Sequence, residues 1–249
     1  MSNQIVFSGL TSEQVSSSRK SNGANVLKMK DDNVLLVVMK HVVLEPMFIL
    51  LVIVAAIYFI VPSKDGLFRL SMSSAYVAFT LIVLTLAIGP INALRRVRLP
   101  VSNDFRRDTG IWACTWGLFH TVVGLQVHLR GRMIEYFLYP TSASLLARIR
   151  FDMFGLANYF GLLAAVLAVV LAAISNDWSL RMLGATRWKR LQQLNYILFT
   201  IAIVHAVLYQ IVEKRIPPFA LAFGFLAGTA LTLQIARALF RSASAQSKI

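Results

Sequence analysis

The chain opens with a polar segment and then settles into long apolar stretches separated by short basic ones. Residues 1–24 are rich in Ser, Asn and Gln and show no apolar period, which predicts a disordered arm. Residues 25–40 mix apolar and charged positions and predict a short helix lying on a membrane surface. Six apolar stretches follow, at 42–61, 72–91, 109–129, 153–174, 191–212 and 217–236. Each is close to the roughly 20 residues that a helix needs to cross hydrocarbon. Many of these positions are Val and Ile, but an unpaired backbone group in lipid costs several kcal/mol, so helices are predicted all the same. The pattern therefore predicts an all-α membrane protein: an N-terminal arm over 1–40, a bundle of six transmembrane helices over 41–240, and a short tail over 241–249. Some forty residues precede the first apolar stretch, unlike a signal peptide, so the first helix is expected to stay as an anchor.

Composition agrees with lipid as the solvent. Of 249 residues, 57% are apolar and 14% charged, against about 45–50% and about 25% in soluble domains. The formal charge of +14 would suggest nucleic acid in a soluble protein. Here the basic residues fall in short runs between apolar segments, as loops facing anionic lipid do, and no nucleic-acid partner is expected. The arm, the second and fourth loops and the tail together carry 17 of the 25 Lys and Arg, and the other three loops carry 8. That asymmetry predicts both termini on the cytoplasmic side. The one cysteine, Cys114, lies inside an apolar stretch and reads as a small packing residue. No segment repeats another and no Gly-rich phosphate loop occurs, so any flavin or nucleotide chemistry is expected from another polypeptide.

Ionisable residues inside a span mark function by default. Two histidines qualify: His120 in the third stretch and His205 in the fifth. These spans run in the same direction, and the two residues differ in depth by only roughly 4 Å. Two imidazoles at similar depth on facing helices could ligate one haem iron from both sides. Gly117 and Gly124 lie three before and four after His120 on the same face, and Ala202 and Ala206 flank His205. Small residues of this kind let a flat macrocycle approach, though they also mark ordinary helix contacts. Two other readings stay open: histidines hydrogen-bonded to neighbouring helices, and a proton or ion pathway. His128 is read as an interfacial residue, with an approach to the outer edge of a haem as the alternative, and His41 with Glu45 four positions on as a pair in the headgroup region. Arg130, Arg132, Lys214 and Arg215 follow the third and fifth spans, where they could pair with haem propionates or simply anchor helix ends.

The stretch Arg106-Arg107-Asp108-Thr109-Gly110-Ile111-Trp112-Ala113, leading to Leu118-Phe119-His120, resembles the third helix of the ferric reductase-like transmembrane domain. Leu183-Gly184, continuing to Arg187-Trp188-Lys189-Arg190-Leu191, is similar to the fourth loop of a bacterial branch of that family. That branch includes the haem-binding membrane subunit of the periplasmic methionine-sulfoxide reductase system. The resemblance covers roughly residues 70–215 and implies a b-type haem electron carrier in a bacterial inner membrane, with His120 and His205 as iron ligands. It implies an oxidoreductase membrane subunit rather than a self-contained enzyme. Its donor would be a quinol or a flavoprotein, and its acceptor ferric iron or a partner reductase. Where the branch has a histidine opening the fifth helix, this chain has Gln192, a poor iron ligand, so one haem per chain is expected. The rival expectation from another class is a non-redox small transporter or membrane scaffold with structural histidines.

Overall fold

The computed structural model describes residues 11–22, 45–95, 102–140 and 148–246. Its helices are α1 (Ser12–Asn22), α2 (Pro46–Ile60), α3 (Gly66–Leu94), α4 (Ser102–Val127), α5 (Met153–Ala173), α6 (Asp177–Gln192), α7 (Leu194–Val212) and α8 (Pro217–Gln246), with a 3-10 turn at Met133–Tyr136. Among the described residues the only β pairing is an isolated antiparallel bridge between Leu138 and Ile149. Helices α2 to α5, α7 and α8 fall on the six apolar stretches in order.

The chain divides into two units, Met1–Phe48 and Ile49–Ile249. The first contains α1, inside the segment whose composition predicts no structure. Its local cause is a capping box: Thr11 N–H donates to Gln14 Oε1 at 2.9 Å, and Gln14 N–H donates to Thr11 Oγ1 at 3.4 Å. Glu13 in the first turn and Arg19 and Lys20 in the last complement the helix dipole. The expected surface helix over 25–40 and the His41 pairing lie outside the described residues.

Among the described residues of the second unit, four helices are long and apolar enough to cross a membrane: α3, α5, the continuous α6–α7 run, and α8 as far as Phe240. The apolar α2 is shorter, at 15 residues. Helix α4 spans 26 residues but carries Asp104, Arg106, Arg107 and Asp108 in its first turns. Apolar side chains cover the outer faces; Leu221 and Phe225 on α8 are 72% and 74% exposed, as lipid-facing residues are when no lipid is present.

Helix α3 is the axis of the packing. Asp65 caps it by accepting from Leu67 N–H at 2.9 Å. On one side Val77, Ala78 and Leu81 pack with Val54 of α2 and with Ala113 and Trp116 of α4. On the other, Phe79, Val83 and Leu86 pack with Phe199 of α7 and with Ala227 and Ala230 of α8. Two of its buried hydroxyls are satisfied inside the helix: Ser74 Oγ donates to the Leu70 carbonyl at 2.8 Å and Thr85 Oγ1 to the Leu81 carbonyl at 2.8 Å. A hydrophobic axis can therefore carry serines and threonines without exposing them to lipid.

Two connections differ from simple loops. The fourth is helical: α6 is capped by Asn176, which accepts from Ser179 N–H at 2.8 Å. It is kinked at Gly184, whose φ of 71° suits a residue without Cβ. The third, between α4 and α5, is pinned by Tyr136, a fully buried residue. Its hydroxyl donates to the Gly124 carbonyl at 3.1 Å and accepts from the His128 and Leu129 N–H groups at 2.9 and 3.3 Å. Helix α5 then starts at Asp152, which accepts from Gly155 N–H at 2.7 Å.

Candidate functional site

Helices α3, α4, α5 and α7 enclose a cavity of about 260 Å³ that runs along the bundle. Arg106, Trp188 and Gln192 lie toward one end and His128, Glu213 and Arg215 toward the other. Both span histidines line it, with Gly117, Gly124, Ala202 and Ala206. The structure brings His120 and His205 together: their ring centroids are 6.1 Å apart with the planes at 73°. Metal–imidazole bonds run about 2 Å. Two of them through one metal, with the ring radii added, would separate the centroids by about 6 Å.

Each ring is fixed by a backbone carbonyl on a neighbouring helix. His120 Nδ1 lies 2.9 Å from the Ser71 carbonyl on α3, with Ser71 Oγ at 3.3 Å. His205 Nδ1 lies 2.8 Å from the Ala157 carbonyl on α5. A carbonyl only accepts, so Nδ1 carries the proton in both rings and the neutral imidazole keeps its lone pair on Nε2. Among the described residues no hydrogen bond engages either Nε2. An imidazole anchored through one nitrogen with the other left free is how proteins prepare a metal ligand.

Small residues shape the surroundings, and one of them escaped the sequence reading. A Cβ on Gly161 of α5 would lie 2.7 Å from both Cε1 and Nδ1 of His205, so the imidazole rests directly on the helix backbone. At Gly124 a Cβ would meet Ser71 Oγ at 3.4 Å and His120 Cε1 at 3.7 Å. At Gly117 it would meet nothing within 4 Å and would point into open space. Gly161, Ser71 and Ala157 belong to helices other than those bearing the histidines. No spacing along one helix reveals them; only the pairing of helices does.

The residues past α4 and α7 take different places. His128 lines the cavity, its Nε2 lies 3.0 Å from Glu213 Oε1, and its ring stacks on Tyr209 with centroids 5.9 Å apart. Tyr209 in turn packs against His205 at 5.1 Å and donates to Asn158 Oδ1 at 2.7 Å. Glu213 Oε2 accepts from Arg215 Nε at 2.8 Å. Burial pushes the Glu213 carboxyl up, but the His128 hydrogen bond and the Arg215 charge outweigh it and hold it below the usual carboxylate range. Of the four cations considered for an acidic ligand edge, Arg215 lines the cavity. Arg132 lies 3.5 Å from Glu135, and Arg130 and Lys214 sit in the left-handed region with φ of 47°. At the opposite end Gln192 Nε2 donates to Ser175 Oγ at 3.0 Å.

Among the described residues no group of three or more His, Cys, Asp or Glu could hold a bare metal ion. Two neutral imidazoles on one cavity suit a metal that brings its remaining donors with it, as an iron porphyrin does. The residues present therefore fit a haem better than a free ion.

Residues 74–203, just over half the chain, match the family described as ferric reductase like transmembrane component. The match takes in His120 and stops two residues before His205. Residues 6–58 match a second family description, cation transporter/ATPase, N-terminus. No curated protein matches the chain.

Proposed function

The chain belongs to the ferric reductase-like transmembrane family, and from that premise we propose that it carries electrons in the membrane through one b-type haem held by His120 and His205. The observation that carries this reading is the pair of imidazoles on a shared cavity, each tied through Nδ1 to a backbone carbonyl. A bound haem would supply reversible one-electron chemistry at iron, and holding it by two histidines would favour electron transfer over oxygen binding.

The protein's own residues do the holding and tuning. The Ser71 and Ala157 carbonyls fix ring orientation and tautomer and make Nε2 a stronger donor. Gly161 lets the His205 ring lie against α5, and Gly117 and Gly124 leave room for a flat group beside α4. Arg215 is the cation placed to meet an acidic edge. The apolar walls keep water from the metal and so bear on its potential. With Gln192 engaged by Ser175, a second iron site toward that end lacks a histidine.

In this reading α2, α3, α4, α5, α7 and α8 all cross the bilayer, and both termini face the cytoplasm of a bacterial inner membrane, as the distribution of basic residues favours. The donor would be a quinol or a flavoprotein, and the acceptor ferric iron or a partner reductase. The test is a reduced-minus-oxidised absorbance spectrum of the detergent-purified protein with haem quantified per chain. A b-type band at about one haem per chain is expected. His120→Ala and His205→Ala should each abolish haem retention, while His128→Ala keeps it. Haem surviving either of the first two changes sinks the ligand assignment. A wild-type protein that takes up no haem when supplied with it favours the non-redox transporter or scaffold.

A further inference from the structure

The cavity is longer than the histidine pair needs. On α4 its lining runs back from His120 through Gly117, Ala113 and Gly110 to Arg106. On the α6–α7 run it goes from His205 through Ala202, Leu198 and Asn195 to Gln192. Steps of three and four residues keep each series on one helix face. Arg106 lies fourteen residues before His120 and Gln192 thirteen before His205, about 21 and 20 Å along their helices. The far ends of α4 and α7 meet at His128 and Glu213, 3.0 Å apart, so the two helices run the same way. Arg106 and Gln192 therefore come level with one another at the near end, as the histidines do in the middle.

Contacts between the same elements hold that end together. Arg107 Nη1 donates to Asp177 Oδ1 at 2.8 Å, joining the start of α4 to the start of α6. Trp188 Nε1 donates to the Ile174 carbonyl at 2.8 Å, and Gln192 Nε2 to Ser175 Oγ at 3.0 Å. Ser175 Oγ itself donates to the Leu171 carbonyl at 2.6 Å. The Gln192 amide is thus fixed through its nitrogen, and among the described residues its Oε1 has no donor. The side chains of Arg106 and Asn195 make neither a hydrogen bond nor an ion pair among the described residues.

Between this end and the histidines, α5 presents Ala165, Ala168 and Ala172 to the cavity, and α4 presents its glycines and Ala113. Faces of small residues ordinarily let helices close on one another, and interiors rarely keep voids larger than a water. Here the space stays open, a slot with apolar walls and a few polar groups at one end, the usual form of a small-molecule site. A guanidinium and two carboxamides offer donors to an oxygen and one carbonyl to a hydroxyl. They suit an organic group, not an iron.

We propose that this end of the cavity binds an isoprenoid quinone, its flat ring between the small faces of α4 and α5. In the oxidised form the ring carbonyls accept from the Arg106 guanidinium and the Asn195 amide. In the reduced form a ring hydroxyl donates to Gln192 Oε1. A phospholipid would bring two chains and a charged phosphate to a slot with one unpaired cation, and fits it less well. The binding stands apart from the haem pair; the role as donor rests on the haem reading. In that role the quinol gives up two electrons, one at a time, to ferric haem at the histidines, releases two protons to water and becomes the quinone.

The test is photolabelling of the detergent-purified full chain with an azido-ubiquinone analogue, mapped by peptide mass spectrometry, with decylubiquinone or palmitate as competitor. Label is expected on the peptides bordering Arg106, Ser175 and Gln192, and decylubiquinone but not palmitate should remove it. The pair Arg106→Met/Asn195→Leu keeps volume without the donors and should bind decylubiquinone at least about tenfold more weakly. Equal affinity of that pair and wild type overturns the proposal. So does label confined to other peptides, label removed equally by palmitate, or no label at all, and these wild-type results need no variant to fold. Specific label in a wild type that takes up no haem supports this site and sinks the haem reading, whereas a haem-loaded wild type without label does the reverse.

Discussion

Gly161→Ala is the sharpest test of how the histidine pair is built. The added methyl would stand 2.7 Å from Cε1 and Nδ1 of His205, inside any ordinary carbon–carbon or carbon–nitrogen contact of about 3.5–4.0 Å. The methyl is fixed to a helix backbone and cannot yield, so the ring must move by several tenths of an ångström or more. Its Nδ1 hydrogen bond to the Ala157 carbonyl, at 2.8 Å, lies one helical turn along the same helix, so moving the ring weakens that bond too. Overpacking of this kind costs typically 1–3 kcal/mol, which is roughly a fivefold to 150-fold loss of the ring's native placement. The expected result is a folded chain with greatly reduced haem retention, measured as haem per chain beside a thermal melt of the same preparation. Gly161→Ala with wild-type haem content and an unchanged spectrum refutes the argument that His205 is positioned by contact with α5.

Gly117→Leu makes the complementary change: the new side chain meets open cavity rather than a ring, so the haem-free chain should melt within about 1 kcal/mol of wild type while haem uptake is lost; normal uptake would show that the ligand does not use that space. Tyr136→Phe removes the hydroxyl that closes the end of α4, leaving the His128 and Leu129 N–H groups and the Gly124 carbonyl without it, and should destabilise by about 1–3 kcal/mol in a thermal melt. Glu213 gives a pH dependence of definite sign. Its carboxyl is held below the usual range in the folded chain, so its contribution is fully present above the ordinary glutamate pKa of about 4.3 and is lost as pH falls through the lower folded value. Glu213→Gln should flatten that part of the melting-temperature profile, and an unchanged profile would remove His128 and Arg215 as the cause.

The helices were readable because lipid leaves few choices. A run of about 20 apolar residues must satisfy its backbone internally, so apolar length alone locates α2 to α5, α7 and α8. The two histidines were readable for the same reason, since an ionisable group in such a run stands out against its neighbours. What the pattern could not give was any structure set by local hydrogen bonding or by contacts between helices. The α1 helix rests on the reciprocal Thr11–Gln14 cap in a segment with no apolar period, and α6 occupies a basic stretch that looks like a loop until Asn176 caps it and Gly184 turns it. His128 follows directly on Val127, the last residue of α4, so its position alone suggested the interface; the Glu213 carboxylate that engages it is 85 residues away.

The same distinction explains why Gly117 and Gly124 were legible and Gly161 was not. The first two share a helix face with His120 and follow from a period of 3.6 residues. Gly161 acts on a histidine of another helix, and the sequence holds no register between α5 and α7. Yet its contact is the closer one, 2.7 Å against 3.7 Å at Gly124. A histidine inside a membrane span is therefore only half a description of a ligand. The other half is the backbone it leans on and the carbonyl that takes its second nitrogen, and for His205 both come from α5, which bears neither of the paired histidines.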